Sequence, residues 1–267
     1  MLVSEVMLQQ TQVERVLPYY ERWLARWPGI EELAAASPAD AIRQWAGLGY
    51  NRRALSLHRV ARTALAEGGL PRTADGLGTL PGVGRYTASA VAAFAFDARL
   101  ALVETNIARV IARLVLGMAV ADAAPPGAVR RAANALLPAR NARAHNLALM
   151  DLGALICRPR APLCDACPVR ACCRWRAASY PASERRMPAK PPFEDTSRFA
   201  RGRIVAALLA GPAELEELAA GLASLHRPKL AGYLAALEGE GLIERAEGAW
   251  RLPTGPQGST SIASPKL

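Results

Sequence analysis

The sequence predicts an almost wholly α-helical protein. It reads as a large helical domain over residues 1–178, a linker over 179–198, a small winged-helix-like domain over 199–254 and a disordered tail over 255–267. Three observations carry this. Apolar residues recur at spacings of three and four from the N-terminus onward, and no convincing alternating run appears before about residue 150. Short breakers (Pro28-Gly29, Ser37-Pro38, Gly47-Leu48-Gly49, Gly68-Gly69 and Pro81-Gly82) punctuate that pattern. All five cysteines then fall between Cys157 and Cys173, where the helical part ends.

Composition narrows the function classes. No stretch approaches the ~18 apolar residues that a membrane span needs, and the N-terminus lacks the basic-then-apolar order of a secretion signal. The expected location is cytoplasmic, at the nucleoid. The net charge of +10 favours a polyanionic partner, nucleic acid first. Lysine occurs only at Lys190, Lys229 and Lys266, and the remaining basic residues are arginine. Lysine Schiff-base chemistry is therefore excluded from the first 189 residues.

The first segment, VSEVMLQQTQVERVLPYYERWLARW, has helical periodicity throughout. On a helix Glu5 and Leu8 share a face, as roughly do Leu8, Thr11 and Gln12. A carboxylate among Val3, Val6 and Leu8 loses solvent, which raises its pKa toward that of a useful acid. A plain surface glutamate is the alternative. GLGYNRRALSLHRVA (47–61) places Tyr50 and Asn51 ahead of a helix, with His58 one turn into a helix face as a packing or phosphate-contacting residue.

LPGVGRYTA, from Leu80, follows. Gly82 and Gly84 permit a tight turn with exposed N–H groups, opening a helix near Arg85 whose amides and dipole favour a phosphate oxygen. ALVETNIARV (101–110) sets Glu104 beside a predicted helix start, either as an ordinary charge or as a reacting group, with Thr105 as the expected N-cap. MDLGALIC (150–157) leads into the cysteines, with Asp151 as a helix N-terminal charge on its plain reading.

The cysteine order is Cys157-x6-Cys164-x2-Cys167-x5-Cys173, with Cys172 beside the last as a bystander. Four thiolates in one short loop suit zinc or an iron–sulfur cluster, and spacing alone does not choose between them. Beyond the Pro- and Ser-rich linker, FARGRIVAALLAG, ELEELAAGLA and RPKLAGYLAALEGEGL read as three short helices. IERAEGAWRLP reads as a hairpin turning at Glu247-Gly248.

The cysteine spacing after a helical domain resembles the four-iron four-sulfur loop of the endonuclease III and MutY family of DNA glycosylases. LPGVGRYTA resembles that family's helix-hairpin-helix, and SEVMLQQTQV is very similar to the MutY signature. The resemblance covers roughly residues 2–178. It implies a helix-hairpin-helix glycosylase fold with a 4Fe-4S cluster on Cys157, Cys164, Cys167 and Cys173. Its loop would present Arg158, Arg160, Arg170 and Arg174 to phosphate. By the same resemblance Gly82, Gly84, Arg85 and Thr87 grip the DNA backbone. Gln9, Gln10 and Thr11 reach DNA around the lesion, Leu8 touches the flipped base, Leu48, Tyr50 and Asn51 enter the base stack, and Asp151 lines the adenine pocket.

The implied reaction is removal of a mispaired adenine, opposite 8-oxoguanine or G, from duplex DNA by a monomeric base excision repair enzyme. Glu5 protonates adenine, Glu104 faces C1′, Asn106 orients the water, and Tyr86 packs beside the sugar where bifunctional relatives carry a lysine. Three departures from the family pattern stand out. Glu104 replaces an aspartate, and at such a site ~1 Å of misplacement costs on the order of 100-fold in rate. The chain starts almost on the signature, so part of the pocket wall is expected upstream or absent. No Nudix-like domain for the opposite base is expected, and residues 199–254 are expected to offer instead a second DNA or protein contact. A thymine, uracil or hypoxanthine mismatch glycosylase, or a DNA-binding protein with weak or no catalysis, are the competing expectations.

Overall fold

The computed structural model describes residues 1–180 and 191–255, so most of the expected tail and half of the expected linker lie outside the described residues. The helices, in order, are α1 (Leu2–Leu8), α2 (Val13–Arg26), α3 (Ile30–Ala35), α4 (Pro38–Trp45), α5 (Arg52–Ala66), α6 (Ala74–Gly78) and α7 (Arg85–Ala95). After them come α8 (Thr105–Ile111), α9 (Ala128–Leu136), α10 (Ala142–Asp151), α11 (Arg174–Ala177), α12 (Ser197–Ala210), α13 (Leu215–Ala220) and α14 (Leu230–Gly239). Two strands, β1 (Glu244–Ala246) and β2 (Ala249–Arg251), pair antiparallel with Arg245 opposite Trp250. None of the helices is long and apolar enough to cross a membrane among the described residues.

The breakers act where the sequence places them. Ser37 Oγ accepts the Asp40 amide at 3.0 Å and Pro38 occupies the first helical turn, which starts α4. At the hairpin turn Glu247 and Gly248 both have positive φ, 53° and 85°, the primed geometry that matches strand twist. The first segment differs from its periodicity. The helix stops at Leu8 and restarts at Val13, and Gln10 is left-handed at φ 57°. Thr11 and Gln12 therefore share no helix face with Leu8.

The chain divides into two compact units. One holds residues 1–2, 71–79 and, among those described, 83–180; the other holds 3–70, 80–82 and 191–255. The division does not follow sequence order, whereas the expected domains did. In the second unit Ile204, Leu208, Leu234 and Leu252 share one buried cluster with Ala39, Ile42 and Leu55. The Ala39 amide donates to Pro253 O at 3.0 Å. The segment after residue 191 thus supplies most of this cluster and packs it onto Ala39 and Ile42 of α4 and Leu55 of α5. A separate tryptophan cluster fixes α2 against α4: Trp23 meets Trp27 and Trp45 edge-on at 4.7 and 5.6 Å.

In the first unit, Ala90, Phe94, Leu102, Ile107, Val110 and Ile111 form the core, with Tyr86 packed on its edge. Helices α8 and α10 each continue into a π-helical turn, Ala112–Leu116 and Leu152–Ile156. Such turns insert a residue and re-aim the side chains that follow.

Gly82 is required twice over. Its φ is +76°, and a Cβ there would sit 2.3 Å from Ser56 Oγ and 2.6 Å from Ser56 Cβ. Gly82→Ala is expected to cost on the order of 1–3 kcal/mol from the backbone strain alone, read as a lower midpoint of thermal unfolding. An unchanged midpoint would mean that the turn relaxes freely.

Candidate active site

In the second unit, two segments far apart in sequence meet at the break after α1. The Arg53 guanidinium donates to Gln9 O at 2.5 Å, which satisfies a carbonyl freed by the end of the helix. The Tyr50 hydroxyl donates to Gln10 Oε1 at 2.6 Å. The Arg53 guanidinium also lies 4.3 Å over the Tyr50 ring. Gly47 and Gly49 have positive φ, as does Tyr50 at 53°, so the Gly47-to-Tyr50 turn is a specific backbone shape. The Trp45 indole N–H holds that turn by donating to Gly49 O at 2.8 Å.

Within this turn the predicted contacts separate. Tyr50 and Asn51 are partly exposed, whereas Leu48 is 5% exposed and belongs to the core. Leu48 thus shapes the turn and presents little surface to solvent, unlike its neighbours. Gln10 is exposed, and Leu8, Gln9 and Thr11 are half-buried. His58 is a satisfied core residue, 3% exposed, with its Nε2 2.9 Å from Ala36 O.

Glu5 sits on α1 beside the buried Val6 and Met7 and is itself half-buried. Burial pushes its pKa up, because the charged form loses more solvation than the neutral form. Its carboxyl keeps a proton to higher pH than a surface glutamate does.

In the first unit, Glu104 is the N-cap of α8, a place the sequence had suggested for Thr105. One carboxylate oxygen accepts the Asn106 amide and the other the Ile107 amide, each at 2.7 Å. Aspartate, asparagine, serine and threonine are the usual caps. The extra methylene of glutamate is taken up by turning the side chain back over its own helix terminus. The carboxylate is thereby fixed by two charge-assisted bonds, and an anion suits that end of the helix dipole. Two lone-pair directions remain for other work. Thr105 is exposed.

The segment before Glu104 is pinned by Asn146, which is 1% exposed on α10. Its Oδ1 accepts the Leu102 amide at 3.0 Å and its Nδ2 donates to Leu100 O at 2.9 Å. Asn106 is held from the other side: Arg109 Nη2 donates to Asn106 Oδ1 at 2.8 Å and to Gly153 O at 2.6 Å. A Cβ on Gly153 would lie 2.7 Å from Asn106 Cβ, so glycine there lets the π-helical turn pass close to α8. Tyr86, on α7, is partly buried. Gly84 and Arg85 at the start of α7 are exposed, while Thr87 is buried. Asp151 is exposed at the C-terminal end of α10 and runs straight into the π-helical turn. Its reading as a helix N-terminal charge does not hold.

The four expected ligand cysteines, Cys157, Cys164, Cys167 and Cys173, line one small cavity with Arg113 and Trp175. Cys172 is exposed and takes no part in that lining. The Cys167 thiol is pushed up first by burial and then by the like charges of Cys157, Cys173 and Cys164. Among the described residues no three His, Cys, Asp or Glu converge tightly enough to hold a single metal ion.

Two arginines that the sequence reading did not single out organise this loop. Arg113, 5% exposed, donates to Ala119 O, Arg158 O and Pro159 O at 3.0, 2.8 and 3.1 Å. It also stacks over Trp175 at 4.4 Å. Arg109 Nε donates to Cys157 O at 2.7 Å. The signal was present as Asn106, Arg109 and Arg113 at spacings of three and four. The loop arginines Arg158, Arg160, Arg170 and Arg174 are exposed.

Comparison with known proteins gives the family. The chain is 44% identical over 208 residues to the adenine DNA glycosylase of Mycolicibacterium smegmatis, covering 76% of this chain and 69% of that one. It is 43% identical over 178 residues to the adenine DNA glycosylase of Homo sapiens, covering 65% of this chain and 33% of that one. Among solved structures, a thermostable thymine-DNA glycosylase matches with a TM-score of 0.61 at 30% identity, over 66% of this chain and 83% of that one. An endonuclease III–DNA covalent intermediate shares the fold with a TM-score of 0.58 at 23% identity, over 67% and 84%. Residues 3–139 match the model of the HhH-GPD superfamily of base excision DNA repair proteins. The chain belongs to that superfamily, and within it to the adenine DNA glycosylases.

Proposed function

We propose that this protein is a monofunctional DNA glycosylase that hydrolyses the N-glycosidic bond of a mispaired adenine. The observation that carries the chemistry is the fixed carboxylate of Glu104 at the N-terminus of α8. A flipped-out nucleotide is required, because neither C1′ nor the base edge is reachable inside a duplex. Glu5, with its raised pKa, donates its proton to the departing adenine as the C1′–N bond breaks. The sugar becomes oxocarbenium-like, and the Glu104 carboxylate stabilises that positive charge. Water then adds its oxygen to C1′ and passes its proton to the Glu104 carboxylate, leaving free adenine and an abasic sugar; Glu104 then releases that proton to solvent and Glu5 takes one up, which restores both groups. Asn106, held by Arg109, orients the water, and Tyr86 packs beside the sugar.

No lysine precedes Lys190, so strand cleavage through a lysine Schiff base has no nucleophile in the helical part. Gly82, Gly84, Arg85 and Thr87 hold the DNA backbone. Gln9, Gln10, Thr11, Tyr50 and Asn51 meet the duplex around the lesion, and Leu8 and Asp151 lie near the extruded base.

Cys157, Cys164, Cys167 and Cys173 fit a four-iron four-sulfur cluster. All four border one small cavity, and four thiolates in one short loop are the usual ligand set of such a cluster. Bound there, it would brace the loop that carries Arg158, Arg160, Arg170 and Arg174, and no step of the reaction passes through it. Cys167→Ala is expected to remove the iron absorbance and lower duplex affinity, whereas Cys172→Ala keeps both. Purified protein carrying zinc in place of iron would contradict the cluster.

A panel of duplexes with A:8-oxoguanine, A:G, T:G, U:G and I:C, followed by hot alkali, tests the substrate. Alkali-labile sites only at adenine support the proposal. Cleavage at T:G instead would favour the second reading, a thymine glycosylase, which the 30% identity to the thymine-DNA glycosylase structure keeps in view.

A further inference from the structure

The segment after residue 191 contributes more than core. In the second unit a groove of about 1220 Å³ runs along α12 and past Gln10, Tyr50 and Gly82. It is lined by Arg15, Arg52, Arg53, Arg198 and Arg203, besides Arg201. Glu240 is the single carboxylate among its described lining residues, and Arg201 already holds it in an ion pair at 2.6 Å. Five guanidinium groups therefore share one open groove with no further carboxylate among its described lining residues. Such a gathering costs repulsion in the free protein, and a polyanion offsets it.

The geometry around Tyr50 makes the connection specific. Arg198 of α12 lies 4.9 Å over the Tyr50 ring and 4.7 Å over the Phe193 ring, and its guanidinium donates to the Tyr50 hydroxyl. Arg53 holds the same ring. Gly202, also lining the groove, has nothing within 4 Å of where a Cβ would be, so α12 presents bare backbone there.

We propose that α12 is part of the DNA interface: Arg198 and Arg203 bind phosphates of the duplex, and Arg198 also positions Tyr50 for it. The inference rests on the DNA glycosylase reading above. Residues 191–255 thus supply a phosphate track, a role distinct from reading the opposite base.

The test uses the full chain and a duplex carrying an abasic analogue, with the dissociation constant measured across a salt series. Each lost phosphate contact lowers the slope of log affinity against log salt by roughly 1. The Arg198→Gln, Arg203→Gln double variant is expected to lose about 2 from that slope. Arg198→Lys keeps the charge and the slope but lowers the rate of excision, because lysine stacks poorly on Tyr50. Arg245→Gln, on exposed β1, controls for net charge and leaves the slope unchanged. A double variant with the parent slope and affinity would overturn the proposal. Failure of the parent chain to bind any duplex would instead overturn the glycosylase reading.

Discussion

Glu5→Gln is expected to lower adenine release by about 10²–10⁴-fold, the usual contribution of a general acid, with duplex affinity kept. Glutamine matches glutamate in size and cannot donate a proton to the leaving base. The pH dependence follows from the direction of the shift. Burial raises the pKa of Glu5, so the active, protonated form survives above the ordinary carboxylate range and is lost as pH rises through the folded-state value. Single-turnover rates should therefore fall on the alkaline side in the parent and be flat there in Glu5→Gln. The same shift bears on stability. The unfolded chain gives up this proton more readily, so burying Glu5 costs progressively more as pH rises past its unfolded value. Relieving that cost makes Glu5→Gln equal to or more stable than the parent near neutral pH. A variant that is inactive because it is unfolded would contradict this reading, and a thermal melt separates the two.

Glu104→Gln is expected to reduce the chemical step by about 10²–10³-fold, the scale seen when one preorganised electrostatic group is removed from a developing charge. Glutamine retains one carbonyl oxygen for the amides of Asn106 and Ile107, so the cap is weakened rather than abolished. The stability cost is expected near ~1 kcal/mol or less. Glu104→Asp keeps both charge and cap, and should retain more activity than Glu104→Gln. Single-turnover kinetics with excess enzyme, set beside thermal melts, resolve the two effects. Full activity in Glu104→Gln would remove this carboxylate from the mechanism and leave it as a helix cap alone.

What could be read from the sequence follows the range of the forces involved. The helix starts at Pro38 and Arg85, the left-handed Gly82 and the turn at Glu247-Gly248 depend on residues within three or four positions, and their chemistry is written locally. The break at Gln9–Gln12 was not legible. Helical periodicity runs through it, and what holds it open is Arg53, 44 residues away, donating to Gln9 O. Leu48 was expected in the base stack by resemblance alone, yet the turn formed by Gly47 and Gly49 leaves it 5% exposed.

The site divides in the same way. Thr105 was the expected cap because threonine is a preferred one, and Glu104 displaced it by reaching two amides that no propensity scale assigns to glutamate. Arg109 and Arg113 were hidden because arginine is so frequent in this chain that their helical spacing carried little signal. The partition into units was the least visible feature, since the cluster joining Leu55 to Leu208 and Leu237 is built from contacts spanning most of the sequence.

Hydrolytic release of adenine by carboxylates, without a lysine nucleophile, is tested most directly by one single-turnover reaction on an A:8-oxoguanine duplex, assayed for free adenine and for strand integrity before and after alkali. Free adenine with an intact strand that breaks only in alkali is the predicted result. No free adenine with the duplex bound, or a strand nicked before alkali through a borohydride-trapped adduct, would contradict it.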